Sequence, residues 1–155
     1  LRGDNGDGEN YSCSTPELAE YDDYDINFLY FYDNVSNICR PDFVKKGSES
    51  TFRTFYECVS TCNTGQSAVR CAGSFNYSCE CPERCSDAYY YNMTSQQCVK
   101  STALYETIFS FEENAFLTES ACEFECKGFT AEYVNGKNTT SSITEVASAE
   151  EECLR

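Results

Sequence analysis

The amino-acid sequence predicts a small disulfide-rich α+β protein of two repeated domains, each a twisted β-hairpin followed by a C-terminal helix. Twelve cysteines among 155 residues indicate a disulfide framework formed in an oxidising compartment. The aromatic triplet "YFY" (30–32) recurs as "YYY" (89–91), with a cysteine at the same spacing after each. The stretch "TFRTFYECVSTC" (51–62) recurs as "AFLTESACEFEC" (115–126). Such an internal repeat indicates a duplicated domain.

Each half begins with a predicted β-hairpin. The aromatic triplets are rich in residues that favour strands. The polar stretches "YDNVSN" and "YNMTSQ" are typical of turns, and Cys39 and Cys98 follow them on the returning strands. Both turns carry N-glycosylation sequons, at Asn34 and Asn92, so we expect the turns to be exposed.

Each half ends with a predicted helix, because Cys58 and Cys62 are spaced i and i+4, as are Cys122 and Cys126. Residues at this spacing share one helix face, so each pair of cysteines faces the same side of its helix.

The two helices differ in their start signals. Thr54 and Glu57 form a capping-box pattern before the first helix. Thr118 is the expected N-cap of the second helix, but Ala121 stands where a capping box needs Glu or Gln. The sequence therefore predicts the start of the first helix more strongly than the start of the second.

These features together resemble the Kunitz (pancreatic trypsin inhibitor-type) family: an opening cysteine at Cys13 or Cys71, an aromatic strand, a cysteine strand, and a helix with C-x-x-x-C. The style of the chain, tandem, tyrosine-rich and glycosylated, is similar to salivary proteins of blood-feeding ticks. The resemblance implies the following divisions: an N-terminal arm (1–12), a first domain (13–62), a linker (63–70), a second domain (71–126) and an acidic tail (127–155).

The resemblance also implies four disulfides: Cys13–Cys62, Cys39–Cys58, Cys71–Cys126 and Cys98–Cys122. Four cysteines remain, and they allow three pairings: Cys79, Cys81, Cys85 and Cys153. We expect one of the three loop cysteines to bond Cys153 and so to tie the acidic tail to the second domain.

The inhibitory chemistry of the family does not carry over to this chain. The resemblance implies a third disulfide that braces a reactive loop, with Lys or Arg directly after its first cysteine. The corresponding stretch of the first domain, "ELAEYDDYDIN", contains no cysteine and no base. The second domain has "CECPERCSD", where Glu80, Pro82 and Ser86 follow the cysteines and Arg84 lies nearby. Residual serine protease inhibition is therefore an alternative, and not the leading expectation.

Charge and composition narrow the function classes. The formal net charge is −15, from 26 acids and 11 bases, which favours basic partners and disfavours nucleic acid and anionic lipid. No apolar run is long enough to span a membrane, and the start at Leu1 is as expected after signal-peptide removal. We therefore expect a secreted, extracellular glycoprotein with five sequons, at Asn10, Asn34, Asn76, Asn92 and Asn138.

Catalysis and metal binding have little support in the sequence. The chain has no histidine, which excludes Ser/His and Cys/His constellations, and cysteines held in disulfides are not nucleophiles. No pair of C-x-x-C knuckles is present for zinc. We expect no enzyme activity, no metal site and no cofactor.

An acidic stretch with two tyrosines is the leading candidate for partner binding. Acids and aromatic rings together can bind Arg/Lys-rich protein surfaces, and the same context favours tyrosine sulfation. An alternative is that the stretch is only a solvated loop. The candidate residues are Glu20, Tyr21, Asp22, Asp23, Tyr24 and Asp25.

Two other charged groups are weaker candidates. A basic cluster of Arg40, Lys45 and Lys46 either binds sulfated glycan or balances the negative field, and we favour the second role. The second domain has a predicted acidic face that comprises Glu106, Glu112, Glu113, Glu119, Glu123 and Glu125.

The tripeptide Arg2-Gly3-Asp4 offers a different function, because integrins bind Arg-Gly-Asp through an acidic groove and a metal site. Here it lies on a Gly-rich arm, and such a tripeptide also arises by chance.

The leading hypothesis is a salivary anti-haemostatic protein that engages a basic exosite of a host coagulation or contact-pathway protein. The alternatives are a disintegrin-like platelet integrin antagonist, a residual Kunitz-type serine protease inhibitor, and a binder of host complement or chemokine. The sequence leaves open the identity of the host target, sequon occupancy, sulfation and oligomeric state.

Overall fold

The computed structural model describes residues 12–74 and 79–133. The chain divides into two compact units, Leu1–Gln66 and Ser67–Arg155. Within the described residues, no helix is long and apolar enough to cross a membrane. Several predicted features lie outside the described residues: the tripeptide Arg2-Gly3-Asp4, the sequons at Asn10, Asn76 and Asn138, and Cys153.

The first unit is built on an antiparallel hairpin of strands β1 (Ile26–Asp33) and β2 (Ile38–Lys45). The turn between them is exposed, and Asn37 takes a left-handed backbone with φ 62°, a conformation that Asn tolerates better than most residues. The hydroxyl of Tyr32 donates to Asn37 Oδ1 at 2.9 Å, which braces this turn. Helix α1 (Phe55–Cys62) follows the hairpin, as the cysteine spacing predicts.

The core of the first unit lies between the hairpin and α1. Phe31 and Val44 of the hairpin and Cys58 and Val59 of the helix are fully buried. Burial of each large apolar side chain stabilises a fold by about 1.5–3 kcal/mol. A unit this small buries few such side chains, so the disulfides are needed to supplement the core.

The second unit repeats this plan with additions. Strands β3 (Cys85–Asn92) and β4 (Gln97–Leu104) form its antiparallel hairpin, and α3 (Glu119–Cys126) is its closing helix. A short helix α2 (Tyr105–Ile108), which the sequence does not predict, follows β4 directly. Two 3₁₀ turns, Val69–Ala72 and Pro82–Arg84, precede β3.

The same tertiary contact closes both hairpins. Tyr30 exchanges two backbone hydrogen bonds with Phe52, at 3.1 and 2.8 Å, and Tyr89 exchanges two with Phe116, both at 2.8 Å. These short bridges fasten the segment before each closing helix to the edge of its hairpin. The duplication seen in the sequence is therefore also present in the backbone.

The disulfides formed by the two units include the four pairs that the Kunitz resemblance implies. Cys13–Cys62 and Cys39–Cys58 lie in the first unit, and Cys71–Cys126 and Cys98–Cys122 in the second, with Cα–Cα distances of 5.5–6.1 Å. Each pair ties its closing helix to the hairpin or to the segment that opens the unit.

A fifth disulfide joins Cys79 to Cys85, which is one of the possibilities that the sequence leaves open. Cys81 is also disulfide-bonded.

Both closing helices have side-chain N-caps. Thr54 Oγ1 accepts from the amide of Glu57 at 3.1 Å, and Thr118 Oγ1 accepts from the amide of Ala121 at 3.0 Å. The carboxylate of Glu57 accepts from the amide of Arg53, one residue before the N-cap. The second helix therefore has the same threonine cap without a carboxylate at the third position.

The predicted linker (63–70) contains an anchor for each unit. The side-chain amide of Gln66 pairs with the backbone of Cys39 in the first unit, at 2.6 and 3.0 Å. The side chain of Arg70 is 13% exposed and belongs to the second unit. Its guanidinium donates to the carbonyls of Glu113 and Ala115, both at 2.7 Å.

Candidate protein-binding surface

The acidic segment with two tyrosines, residues 19–25, lies at the open end of the first hairpin, opposite the turn. The amide of Ala19 donates to the carbonyl of Phe43 at 2.8 Å, and the amide of Lys46 donates to the carbonyl of Asp25 at 2.9 Å. Both ends of the segment are thus fastened to β2 or to the residue that follows it, which restricts the segment without a disulfide.

A tight turn forms inside this segment. The amide of Glu20 donates to Asp23 Oδ2 at 2.6 Å, and the amide of Asp23 donates to the carbonyl of Glu20 at 3.0 Å. Asp23 is consequently half-buried and serves the turn, whereas Asp22 and Asp25 are exposed. Among the six predicted binding residues, Asp23 contributes its side chain to the turn, whereas Glu20 and Asp25 contribute backbone groups.

The two tyrosines of the segment project into solvent. Tyr21 is 102% exposed and Tyr24 is 95% exposed, relative to an unfolded reference. Aromatic side chains normally bury much of their area, so two fully exposed rings on a fastened segment make it a candidate contact surface.

Sequence reasoning missed two further aromatic residues at this end of the hairpin. Phe28 and Phe43 are cross-strand partners, their ring centroids are 4.9 Å apart, and each ring is about half exposed. No sequence signal distinguishes them from core phenylalanines, because their exposure follows from where the hairpin extends beyond its own core.

The basic cluster of the first unit is largely neutralised by acids. Lys45 forms an ion pair with Glu17 at 3.1 Å, and this hydrogen bond, aided by the nearby Asp23 and Glu20, raises the pKa of Lys45. Arg40 lies 2.8 Å from Asp33 and 3.1 Å from Asp42.

The hydrogen bond between Arg40 and Asp33 is the main cause that raises the pKa of Arg40 and lowers the pKa of Asp33. Arg40 and Lys45 are thus committed to internal partners, which supports the interpretation that they balance the negative field.

Two of the six carboxylates in the predicted acidic face of the second unit are paired with arginines. Glu125 turns inward and lies 3.0 Å from Arg70, and burial raises the pKa of Glu125 although the guanidinium opposes that effect. Glu106 forms an ion pair with Arg84. The charges of these two members are therefore offset locally, and the acidic face stays a prediction.

The stretch of the second unit that corresponds to an inhibitory loop is also altered. Cys79 and Cys85 close a short loop on themselves, and the nearby Arg84 pairs with Glu106. A guanidinium held in an ion pair is not presented freely to the acidic pocket of a trypsin-like protease.

A cleft of about 460 Å³ lies in the first unit beside Lys45. Its lining residues include Lys45 and Arg53 but neither Asp nor Glu, so the cleft lacks the carboxylate pair that acid–base catalysis would use. Among the described residues, three sulfur atoms lie close enough together for a metal, those of Cys39, Cys58 and Cys62, but all three belong to disulfides. They therefore cannot supply thiolate ligands.

Two sequons lie in the described turns. Asn34 is exposed, and its side chain is available at the tip of the first hairpin. Asn92 is half-buried, and its Oδ1 accepts from the amides of Thr94 and Ser95. A glycan would be attached to the side-chain nitrogen of Asn92, which takes no part in these two hydrogen bonds.

Comparisons with known proteins give little further information. No protein-family model matches the sequence, and the search of curated proteins gives no match. Among solved structures, the chain is similar to a chain in the structure of the complex between SmCI and human carboxypeptidase A4, with a TM-score of 0.26 and 13% identity. The match covers 70% of this chain and 59% of the other, so this chain spans less than two thirds of its length.

Proposed function

We propose that this chain is a secreted pair of Kunitz-like domains that binds a basic surface of a host blood protein and has no enzyme activity. The favoured partner class is a coagulation or contact-pathway protein, bound at an exosite, in keeping with the resemblance to anti-haemostatic salivary proteins. The observation that carries the proposal is the presentation of Tyr21 and Tyr24, almost fully exposed among carboxylates on a fastened segment.

The chemistry of this segment suits an arginine-rich partner. Ring faces attract guanidinium groups, and the exposed carboxylates of Asp22 and Asp25 can form charge-assisted hydrogen bonds to them. The segment is held in place before binding, which lowers the entropic cost of forming the complex. The neighbouring pair Phe28 and Phe43 adds apolar area next to these charges.

Binding outside a protease active site fits the altered loops of both units. The first unit presents no base in the segment 19–25, and Arg84 of the second unit is held by Glu106. We therefore expect an active-site-directed protease inhibitor to leave binding undisturbed. If such an inhibitor displaces the chain, residual Kunitz-type inhibition is the correct function instead.

Affinity capture from whole host blood, including detergent-released platelet proteins, tests the proposal. The baits are the wild-type chain, Tyr21→Ser/Tyr24→Ser, Asp4→Ala, and the control Val35→Ser, which removes an apolar side chain that is 88% exposed in the same unit. We expect a clotting or contact-pathway protein on the wild-type, Asp4→Ala and Val35→Ser baits, eluted by moderate salt, and its loss from the tyrosine variant.

Other outcomes of this capture identify the alternatives. An integrin caught by wild type and not by Asp4→Ala would show that Arg2-Gly3-Asp4 is the active element. If a complement protein or chemokine is captured and its capture depends on the tyrosines, the proposed site is correct and the proposed partner class is wrong. Capture of the same clotting protein by the tyrosine variant at wild-type yield would contradict the proposed site.

A further inference from the structure

The open end of the second hairpin carries a group of exposed aromatic rings that the proposed function does not use. Tyr105, Phe109 and Phe111 are 46%, 50% and 67% exposed. Tyr105 and Phe109 lie parallel, with ring centroids 6.4 Å apart, and Phe111 meets Phe109 edge-on at 6.2 Å. Contiguous exposed apolar surface of this kind often marks an interaction site. We call these three residues the second-unit aromatic cluster.

The fold itself turns these rings outward. Helix α2 is anchored by Ile108, which is 2% exposed and packs in a small buried cluster with Ala88, Ala103 and Ala115. Tyr105 begins α2 and Phe109 is its C-cap residue, four positions later, so the two rings lie one above the other on neighbouring turns. The rings are thus presented by an anchored element, and they do not belong to a loosely packed core.

The backbone of Phe111 gives a second, independent observation. Its φ is 60°, in the left-handed region that bulky residues rarely adopt and that costs about 1–3 kcal/mol at such positions. The side chain does not recover this cost by burial, because it is two-thirds exposed. Glycine would adopt the same backbone without strain, so an exposed phenylalanine stands where a smaller residue would cost less.

The charges around the cluster favour a cationic partner. Glu112 and Glu113 follow Phe111 directly in the sequence and are exposed, and Glu106 on α2 is paired with Arg84. Arg70 lies 5.9 Å from the Phe111 ring but is bonded to Glu125 and to two carbonyls. The cluster therefore combines ring faces with nearby negative charge, which is the environment that attracts a guanidinium.

We propose that the second-unit aromatic cluster is a second protein-binding surface, which takes a partner segment that carries arginine beside apolar residues. This site belongs to a different unit from the segment 19–25 and rests on different observations. Either proposal can therefore be wrong while the other is correct. The negative charge disfavours an anionic membrane as the occupant.

The test is a titration of the isotope-labelled full chain, followed by NMR, with a synthetic peptide that alternates arginine and leucine. We expect the largest resonance shifts at residues 105–111 within the second unit and about tenfold weaker binding there for Phe109→Ser/Phe111→Ser. The control Val35→Ser should keep wild-type affinity. Because the ring substitutions leave the net charge unchanged, a loss of affinity cannot come from weaker general attraction between opposite charges.

Two further variants, zwitterionic vesicles and a peptide that alternates glutamate and leucine complete the test. Tyr21→Ser/Tyr24→Ser should keep the shifts at residues 105–111, which separates this site from the first. Phe111→Gly should weaken peptide binding without lowering the midpoint of unfolding, because it removes both the ring and the backbone strain. Zwitterionic vesicles should not shift these resonances. Wild-type affinity in the ring variants, equal binding of a glutamate–leucine peptide, or a response to vesicles alone would overturn the proposal.

Discussion

The first hairpin carries its most exposed aromatic side chains on the segment that leads into β1, whereas the second hairpin carries them on the segment that follows β4. Tyr21 and Tyr24 precede the first strand, and Tyr105, Phe109 and Phe111 follow the last one. Exposed rings near carboxylates thus recur at the open ends of both hairpins, on segments that are not equivalent in the sequence.

The difference shows which parts of the duplicated unit constrain one another. Strand pairing, the bridges Tyr30–Phe52 and Tyr89–Phe116, and the disulfides to the closing helices are shared by both units. These contacts involve backbone groups and cysteines at fixed spacing. A change to any one of them in either unit would therefore disrupt the packing of the hairpin against its closing helix. The open ends lie beyond these contacts, and their side chains can diverge.

The largest predicted difference between the units concerns Arg70. Arg70→Met removes the ion pair with Glu125 and the bonds to two carbonyls, and it should destabilise the second unit by about 2–3 kcal/mol, since Glu125 keeps partial access to water. Hydrogen exchange of each unit measures the loss. Arg84→Met removes a more exposed ion pair and is the matched control, with an expected loss of about 0–1 kcal/mol.

The loss in Arg70→Met should also depend on pH. Burial raises the pKa of Glu125 in the folded chain, and removing Arg70 raises it further. A carboxyl whose pKa is raised on folding penalises the folded state above that pKa, and protonation relieves the penalty as the pH falls. The loss should therefore be larger near pH 7 than near the ordinary glutamate pKa of about 4.3. A loss that is equal at both pH values would contradict this role of Glu125.

The next difference is the buried amide of the second unit. Asn114 is 1% exposed, and it accepts from the amide of Tyr91 at 2.8 Å and donates to the carbonyls of Gly73 and Tyr91. In the first unit Ser50 takes the equivalent position, two residues before the bridging phenylalanine, and its hydroxyl lies 3.2 Å from that of Ser14.

Asn114→Ser should therefore cost about 2–3 kcal/mol, because it leaves buried backbone groups without their partner. Ser50→Ala should cost less than about 1 kcal/mol, because the site is only half-buried and water can replace the lost bond. Thermal unfolding of the two variants measures both losses of stability. Equal losses would show that Asn114 contributes no more to the second unit than Ser50 contributes to the first.

The smallest predicted effect is one that the units share. Thr54→Ala and Thr118→Ala each remove an N-cap hydrogen bond and should each cost about 1 kcal/mol. Thr61→Ala, at an exposed position inside α1, should change stability by less than about 0.5 kcal/mol. If only one of the two caps matters, the closing helices are less alike than their backbones indicate.

The sequence predicts the two hairpins and the two closing helices well, because cysteine spacing and aromatic triplets depend on local geometry. It does not predict α2, since a four-residue helix has no room for a periodic pattern and Leu104 supplies no side-chain cap. It also places Arg70 in a linker, because the contact with Glu125 joins positions far apart in the chain.

The candidate site is predicted in part. The segment 19–25 is recognisable from its composition, but its fastening to β2 and the role of Asp23 in the turn depend on tertiary contacts. The exposure of Phe28 and of Phe111 depends on where the hairpin and α2 extend beyond the core, which composition does not report.

Tyrosine-directed footprinting of the full chain, free and bound to the protein captured from blood, shows whether Tyr21 and Tyr24 contact the partner. In the free chain Tyr21 and Tyr24 should be iodinated fast, because they are 102% and 95% exposed, whereas Tyr91, at 1%, is the unreactive internal reference. We expect both exposed tyrosines to lose most of their reactivity in the complex. Iodination of both at the free-chain rate in a saturated complex would contradict it.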